Sequence, residues 1–144
     1  MDAPDYLRLL PHAPPMRLVD EVVRVEPRSI AVTRRTTDPG DFYFQGHFPG
    51  NPVVPAVVLV ELVAQTGGLA AGAPARGDAG HPRGMRVAAI GSFKFPAGCG
   101  AGVTLETTAR VAGRMGRLWK IEGEVLADGV RVAAGSLTLA EVDG

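Results

Sequence analysis

The sequence predicts an α+β fold: about six mostly antiparallel strands wrapped around one long central helix. Three observations carry that expectation. Residues 56–71 are an almost wholly apolar run behind Pro55, interrupted at helical spacing by Glu61 and, four residues on, Gln65. From residue 86 onward the chain reads as strand after strand, rich in β-branched residues and broken by short polar turns. Two of those strands are joined by Asp128-Gly129, a strong hairpin signal because both positions tolerate positive φ. A helix and a set of strands that each need to bury one face must cover one another.

The elements follow in order. Residues 5–10 predict a short helix that stops near Pro11, and Pro14 and Pro15 keep the next residues extended. Residues 18–25 and 29–36 form a hairpin around Glu26-Pro27-Arg28. Residues 38–55, rich in Pro, Gly and aromatics, form an ordered loop of a length that usually has a function. The many valines of residues 56–71 favour a strand locally. The length of the run, Pro55 at its start, the Glu61/Gln65 pair and Gly67-Gly68 as a stop favour a helix. A helix apolar nearly all round should be buried. Residues 72–84 form a mobile polar loop. Strands follow at 86–95, 103–111, 118–127 and 130–140, with a turn region at 96–102. In the second of these, Val103, Leu105, Thr107, Ala109 and Val111 share one face.

Composition narrows the function. A chain of 144 residues is long enough to bury about two-thirds of its unfolded surface in one core, so residues 1–144 are expected to form a single domain. Fifteen basic residues balance fifteen acidic ones, which gives no global attraction to nucleic acid or to an anionic membrane. Cys99 is the only cysteine; it excludes an internal disulfide and fits a reducing compartment. The start, MDAPDYLRLL, has no basic region leading into a long apolar run, so no secretory signal is expected. The apolar run after Pro55 is short for a bilayer span and carries Glu61 centrally. A cytoplasmic protein is the expectation. His12, His47 and His81 show no zinc-ligand spacing.

The candidate chemistry lies where the loop meets the apolar run. Gly46-His47-Phe48-Pro49-Gly50-Asn51-Pro52-Val53-Val54-Pro55 leads directly into it. A carboxylate at Glu61, among Val57, Val58, Leu59, Val60, Leu62 and Val63, is costly to bury and hard to explain as packing. His47, on a Pro/Gly loop just before it, titrates near neutrality. Together they make a two-residue acid–base site. His12 reads as structural, satisfying backbone near the first hairpin, and His81 as solvated. Cys99 is a weak nucleophile candidate with no His or acid near it in sequence. Trp119 and Phe93 read as core or interface residues; Phe42, Tyr43, Phe44 and Phe48 either line the substrate channel or, as loop aromatics more often do, anchor their loop.

His-Phe-Pro-Gly-x-Pro-x-x-Pro from His47, followed by Glu61 and Gln65, resembles the 3-hydroxyacyl-acyl-carrier-protein dehydratases of type II fatty acid synthesis. Leu9-Leu10-Pro11-His12, Leu18-Val19-Asp20, Phe44-Gln45-Gly46 and Phe93-Lys94 extend the resemblance over nearly the whole chain. It implies a hotdog fold and a hydro-lyase that converts a (3R)-hydroxyacyl thioester on acyl carrier protein into the trans-2-enoyl thioester. It implies a homodimer, extending in the family to a trimer of dimers, in which His47 of one chain meets Glu61 of the other across an acyl tunnel. His47 is then the base at C2 and Glu61 the acid toward the C3 hydroxyl, its carboxyl kept protonated by apolar surroundings. Ala56 offers the N–H that receives the thioester oxygen, and the Val53 carbonyl holds the histidine tautomer. Gln65 orients the carboxyl or a bound water, and Phe48, Pro49 and Gly50 belong to the substrate-binding loop. No metal or redox cofactor is implied. Related enzymes that also isomerise the double bond carry Asp at the acid position, so Glu61 argues for dehydration alone.

Two departures bear on substrate identity. The family usually has Pro-Gly where this chain has Pro55-Ala56, and the segment after Phe93-Lys94 continues as Phe95-Pro96-Ala97-Gly98-Cys99-Gly100. Lys94, Arg83, Arg86 and the Arg114/Arg117/Lys120 group are candidates for contact with an acidic carrier protein. A hotdog thioesterase and a non-catalytic acyl-binding subunit are the competing functions.

Overall fold

A computed structural model describes residues 6–46, 51–73 and 84–142. Its strands are β1 (Glu21–Glu26), β2 (Ile30–Thr36), β3 (Gly84–Lys94), β4 (Thr104–Met115), β5 (Leu118–Ala127) and β6 (Val130–Val142). They form one antiparallel sheet in the order β1-β2-β4-β5-β6-β3. One helix, α1 (Ala56–Gly72), packs against all six. A flat sheet of six strands is about 24 Å wide, and a helix with its side chains is about 10 Å across. The sheet must therefore curl around the helix, as an α+β hotdog architecture requires.

Alternation builds the inner wall. Leu105, Thr107 and Ala109 of β4 are fully buried, while Arg110 between the strand's inward positions is exposed. Ile121, Val125, Val132, Leu137 and Leu139 continue that wall across β5 and β6. Between β5 and β6, Asp128 and Gly129 both have positive φ, 46° and 86°, as the predicted tight turn demands. The Asp128 carboxylate also accepts the Thr104 N–H at 3.0 Å, tying the turn to β4.

The helix begins where extended Pro55 hands over to Ala56 and ends at Gly72, whose successor Ala73 donates its N–H back to the Leu69 carbonyl. Gly67 and Gly68 do not stop it. They lie inside α1, and at Gly67 the absent side chain is the point: a Cβ there would stand 2.8 Å from Ile121 Cγ2. On β5, a Cβ at Gly123 would likewise run into Val63. These paired absences let helix and sheet approach closely. A buried hydrogen bond between the Thr33 and Thr66 hydroxyls, 2.8 Å, then fixes the helix against β2.

Burial of α1 is uneven. From Val58 onward most residues are buried, but Ala56 is exposed and Val57 is 75% exposed. Beyond β6, edge strand β3 shows both faces to solvent over most of its length, with Ile90 60% exposed. The rest differs from expectation in small ways. Of the short helix expected at 5–10, Tyr6 is helical and Leu7–Leu9 form a 3₁₀ turn, while residue 5 lies outside the described residues; residues 18–20 precede the strand β1. The predicted loop at 72–84 falls mostly outside the described residues, while Phe42–Phe44 inside the 38–55 loop adds a second 3₁₀ turn.

Candidate active site

Glu61 and Gln65 stand one turn apart on α1, where i and i+4 side chains meet. Gln65 is 1% exposed and every polar atom of its amide is used. Its Nε2 donates to Glu61 Oε1 at 3.1 Å and to the Met16 carbonyl at 2.7 Å. Its Oε1 accepts the Leu18 N–H at 2.9 Å. That pattern allows one amide orientation only. Gln65 therefore holds the Glu61 carboxyl through this bond.

The carboxyl is less enclosed than its sequence neighbours suggest. Its side chain is 29% exposed, because Val57 and Val60 leave this flank of the helix open. It faces a cavity of about 230 Å³ shared with His12, Met85, Arg86 and Val87. His12 is the residue that sequence reasoning misplaced. It does not serve the backbone of the hairpin: its Nδ1 is buried with no partner among the described residues. Its Nε2 lies 3.6 Å from Glu61 Oε1, too long for a hydrogen bond but close enough for attraction once the ring is protonated. Nothing in the spacing of two residues so far apart in sequence could have announced this.

Ala56 is the first residue of α1, and its N–H belongs to the turn that lacks intrahelical acceptors. Its backbone is helical, with none of the positive φ that would turn that N–H away. The methyl at this position therefore leaves a donor at the positive end of the helix dipole. Just before it, Val54 donates to the Cys99 carbonyl at 2.8 Å, binding the segment that contains Val53 to the 96–102 turn. Cys99 thus acts through its backbone. Burial pushes its thiol pKa up, against the thiolate a nucleophile needs.

His47, Phe48, Pro49 and Gly50 lie outside the described residues. The loop that leads to them is held by a polar cluster absent from the sequence expectations. Tyr43, 6% exposed, donates its hydroxyl to Asp41 Oδ2 at 2.6 Å and accepts from Arg35 Nε at 3.1 Å. Burial, then the bond to the Asp41 carboxylate, push the Tyr43 pKa up to about 12. Burial works against the Asp41 carboxylate, but the Asp38 N–H, the Tyr43 hydroxyl and Arg35 outweigh it and hold its pKa below the ordinary value. Tyr43 and Phe44 pack as buried rings, whereas Phe42 beside them is 40% exposed.

Of the proposed carrier-protein contacts, Arg86 lines the Glu61 cavity, whereas Arg114 lies over the Trp119 ring at 4.5 Å and pairs with Glu141 at 3.2 Å. Trp119 is core, 2% exposed. Arg83 lies outside the described residues. A larger groove, about 540 Å³, opens on the outer face of the sheet beside Arg110, Glu122, Glu124 and Arg131, but Arg131 and Glu124 already pair at 2.6 Å. The acid, its orienting amide and the free helix end all lie on the other side.

A family model described as a FabA-like domain matches residues 10–136. The chain belongs to the FabA-like family. Similar curated FabA-like relatives include the 3-hydroxyacyl-[acyl-carrier-protein] dehydratase FabZ of Campylobacter concisus, 32% identical over 99% of both chains. The enzyme of the same name from Anaeromyxobacter sp. is 36% identical over 92% of this chain and 85% of its own length. Among solved structures, the dehydratase heterocomplex ApeI:P from Xenorhabdus doucetiae superposes with a TM-score of 0.82 at 17% identity, covering 96% of this chain and 91% of that one. A hypothetical thioesterase with coenzyme A from Streptococcus pneumoniae reaches 0.61 at 12% identity, covering 85% and 84%. At such identities both structures report the fold alone. No helix among the described residues is long and apolar enough to cross a membrane.

Proposed function

We propose that this FabA-like chain is a (3R)-hydroxyacyl-acyl-carrier-protein dehydratase of fatty acid or related acyl-chain biosynthesis. The observation that carries the reading is the Glu61 carboxyl, oriented by buried Gln65 and opening into a cavity one and a half turns from the free N–H groups of α1.

His47 removes a proton from C2, and the electrons of that C–H bond form the C2=C3 double bond as the C3–O bond breaks. Glu61 protonates the departing hydroxyl, which leaves as water. Charge that gathers on the thioester oxygen is met by the Ala56 N–H and the helix dipole. The Val53 carbonyl holds the His47 tautomer, and Phe48, Pro49 and Gly50 shape the mouth of the acyl site.

The site is completed by a second copy, His47 of one chain serving Glu61 of the other. Two exposures support this. Among the described residues β3 is a long edge strand, its outer backbone groups without a neighbouring strand, and Ile90 on it is exposed, a surface that proteins normally cover. Val57 at the open end of α1 is the most exposed of the helix's large apolar residues.

Purified protein incubated with 3-hydroxybutyryl-acyl-carrier protein should form the enoyl thioester and water. Wild-type protein that forms none would sink the dehydratase reading, and release of free carrier thiol would point to the thioesterase instead. His47→Ala should lower the rate about 10²–10⁴-fold, the range for a positioned proton transfer.

A further inference from the structure

We propose that Arg35 is a positioning residue for the dehydration, one guanidinium that sets both the Glu61 carboxyl and the loop leading into His47. The inference rests on the dehydratase reading above. Arg35 lies on β2 with its side chain 11% exposed, and it spends its donors in two directions.

Toward Glu61, Arg35 Nη1 donates to the Leu18 carbonyl at 3.1 Å. The N–H of the same residue donates to Gln65 Oε1 at 2.9 Å, and Gln65 Nε2 donates to Glu61 Oε1 at 3.1 Å. Leu18 is 1% exposed, so its backbone has no water to fall back on if Arg35 is lost. Asp20 steadies this arm: its carboxylate accepts from Arg35 Nη1 at 3.4 Å and from the Thr36 N–H at 3.0 Å.

Toward the loop, Arg35 Nε donates to the Tyr43 hydroxyl and Nη2 meets Asp41 Oδ2 at 3.1 Å. Asp41 also accepts the Tyr43 hydroxyl and the Asp38 N–H, closing the loop on itself four residues before His47. A ring at position 43 would suffice to anchor the loop, as Phe44 beside it does. The Tyr43 hydroxyl adds nothing to that packing. Among the described residues its partners are Arg35 and Asp41, so its two hydrogen bonds tie the loop to β2. The flat, five-donor guanidinium reaches all these acceptors at once; a lysine ammonium cannot.

The test compares wild type with Arg35→Met, Arg35→Lys and Tyr43→Phe, using 3-hydroxybutyryl-acyl-carrier protein with hydrogen or deuterium at C2. Misplacing reacting groups by about 1 Å can cost about 100-fold, so Arg35→Met should lower kcat about 10- to 100-fold with KM within about twofold. Arg35→Lys should not recover it, and Tyr43→Phe should lower kcat about 3- to 10-fold. In each case the C2-deuterium isotope effect should rise, because slower proton transfer limits turnover more. Near-ultraviolet circular dichroism and the thermal midpoint report whether each variant is folded. If the Arg35 variants do not fold, Tyr43→Phe decides alone. Folded variants with wild-type kcat and isotope effect would overturn the inference while leaving the dehydratase reading intact. A wild type that does not dehydrate would overturn both.

Discussion

The two halves of α1 are built from nearly the same apolar alphabet, yet they do different work. From Leu62 to Gly72 the helix is closed: Gly67 lies against Ile121, Val63 fills the gap left by Gly123, and Thr66 bonds Thr33. From Ala56 to Glu61 one flank is open: Val57 stands in solvent, Val60 is half-buried and Glu61 faces a cavity, while Val58 and Leu59 are buried against the sheet side. Apolar character alone does not tell core from binding wall. What separates them is whether the facing strand supplies a matching absence of side chain, as β5 does, or an unpartnered edge, as β3 does.

The largest expected effect breaks the open half. Glu61→Gln removes the acid but keeps the shape, so turnover should fall about 10²–10⁴-fold. The fold should hold, with stability within about 0.5 kcal/mol of wild type by urea denaturation. In the closed half the order reverses. Gly67→Ala should cost about 1–3 kcal/mol although alanine is the better helix former, because its methyl meets Ile121. Gly68→Ala, with nothing within 4 Å of the new Cβ, should instead gain about 0.5–1 kcal/mol. Equal shifts at the two glycines would show that close packing does not define this half.

Val57→Asp sharpens the comparison from the open side. It should leave the stability of the single chain within about 0.5 kcal/mol. It should also weaken self-association about 10-fold or more, read by sedimentation. Smallest is an alkaline effect in the loop. The folded Tyr43 pKa is about 12 against an ordinary 10.0, so the unfolded chain releases this proton first. The stabilisation is complete below pH 10 and is lost as pH rises toward 12. Tyr43→Phe should flatten that decline in a pH series of melting curves.

Much of this was legible in the residues. The apolar run, Pro55 and the Asp128-Gly129 turn announced the helix and a hairpin, and the i, i+4 spacing announced the Glu61–Gln65 bond. What stayed hidden depended on contacts between distant segments. Gly67-Gly68 looked like a helix stop because a glycine's local preference is visible and the approach of Ile121 is not. His12 gave no sign of facing Glu61, since the chain between them supplies no period or spacing. Nothing in the sequence singles out Arg35; only the fold brings Leu18, Asp20, Asp41 and Tyr43 around it.

In the proposed assembly the open half of α1 is completed by a second copy of the chain. Mixing His47→Ala with Glu61→Gln, each expected to lose about 10²–10⁴-fold alone, tests this arrangement. In a symmetric dimer with shared sites, half of the random pairs are mixed and one of their two sites is intact, so about a quarter of wild-type activity should return. Mixed dimers, verified by mass, that stay inactive would contradict the account.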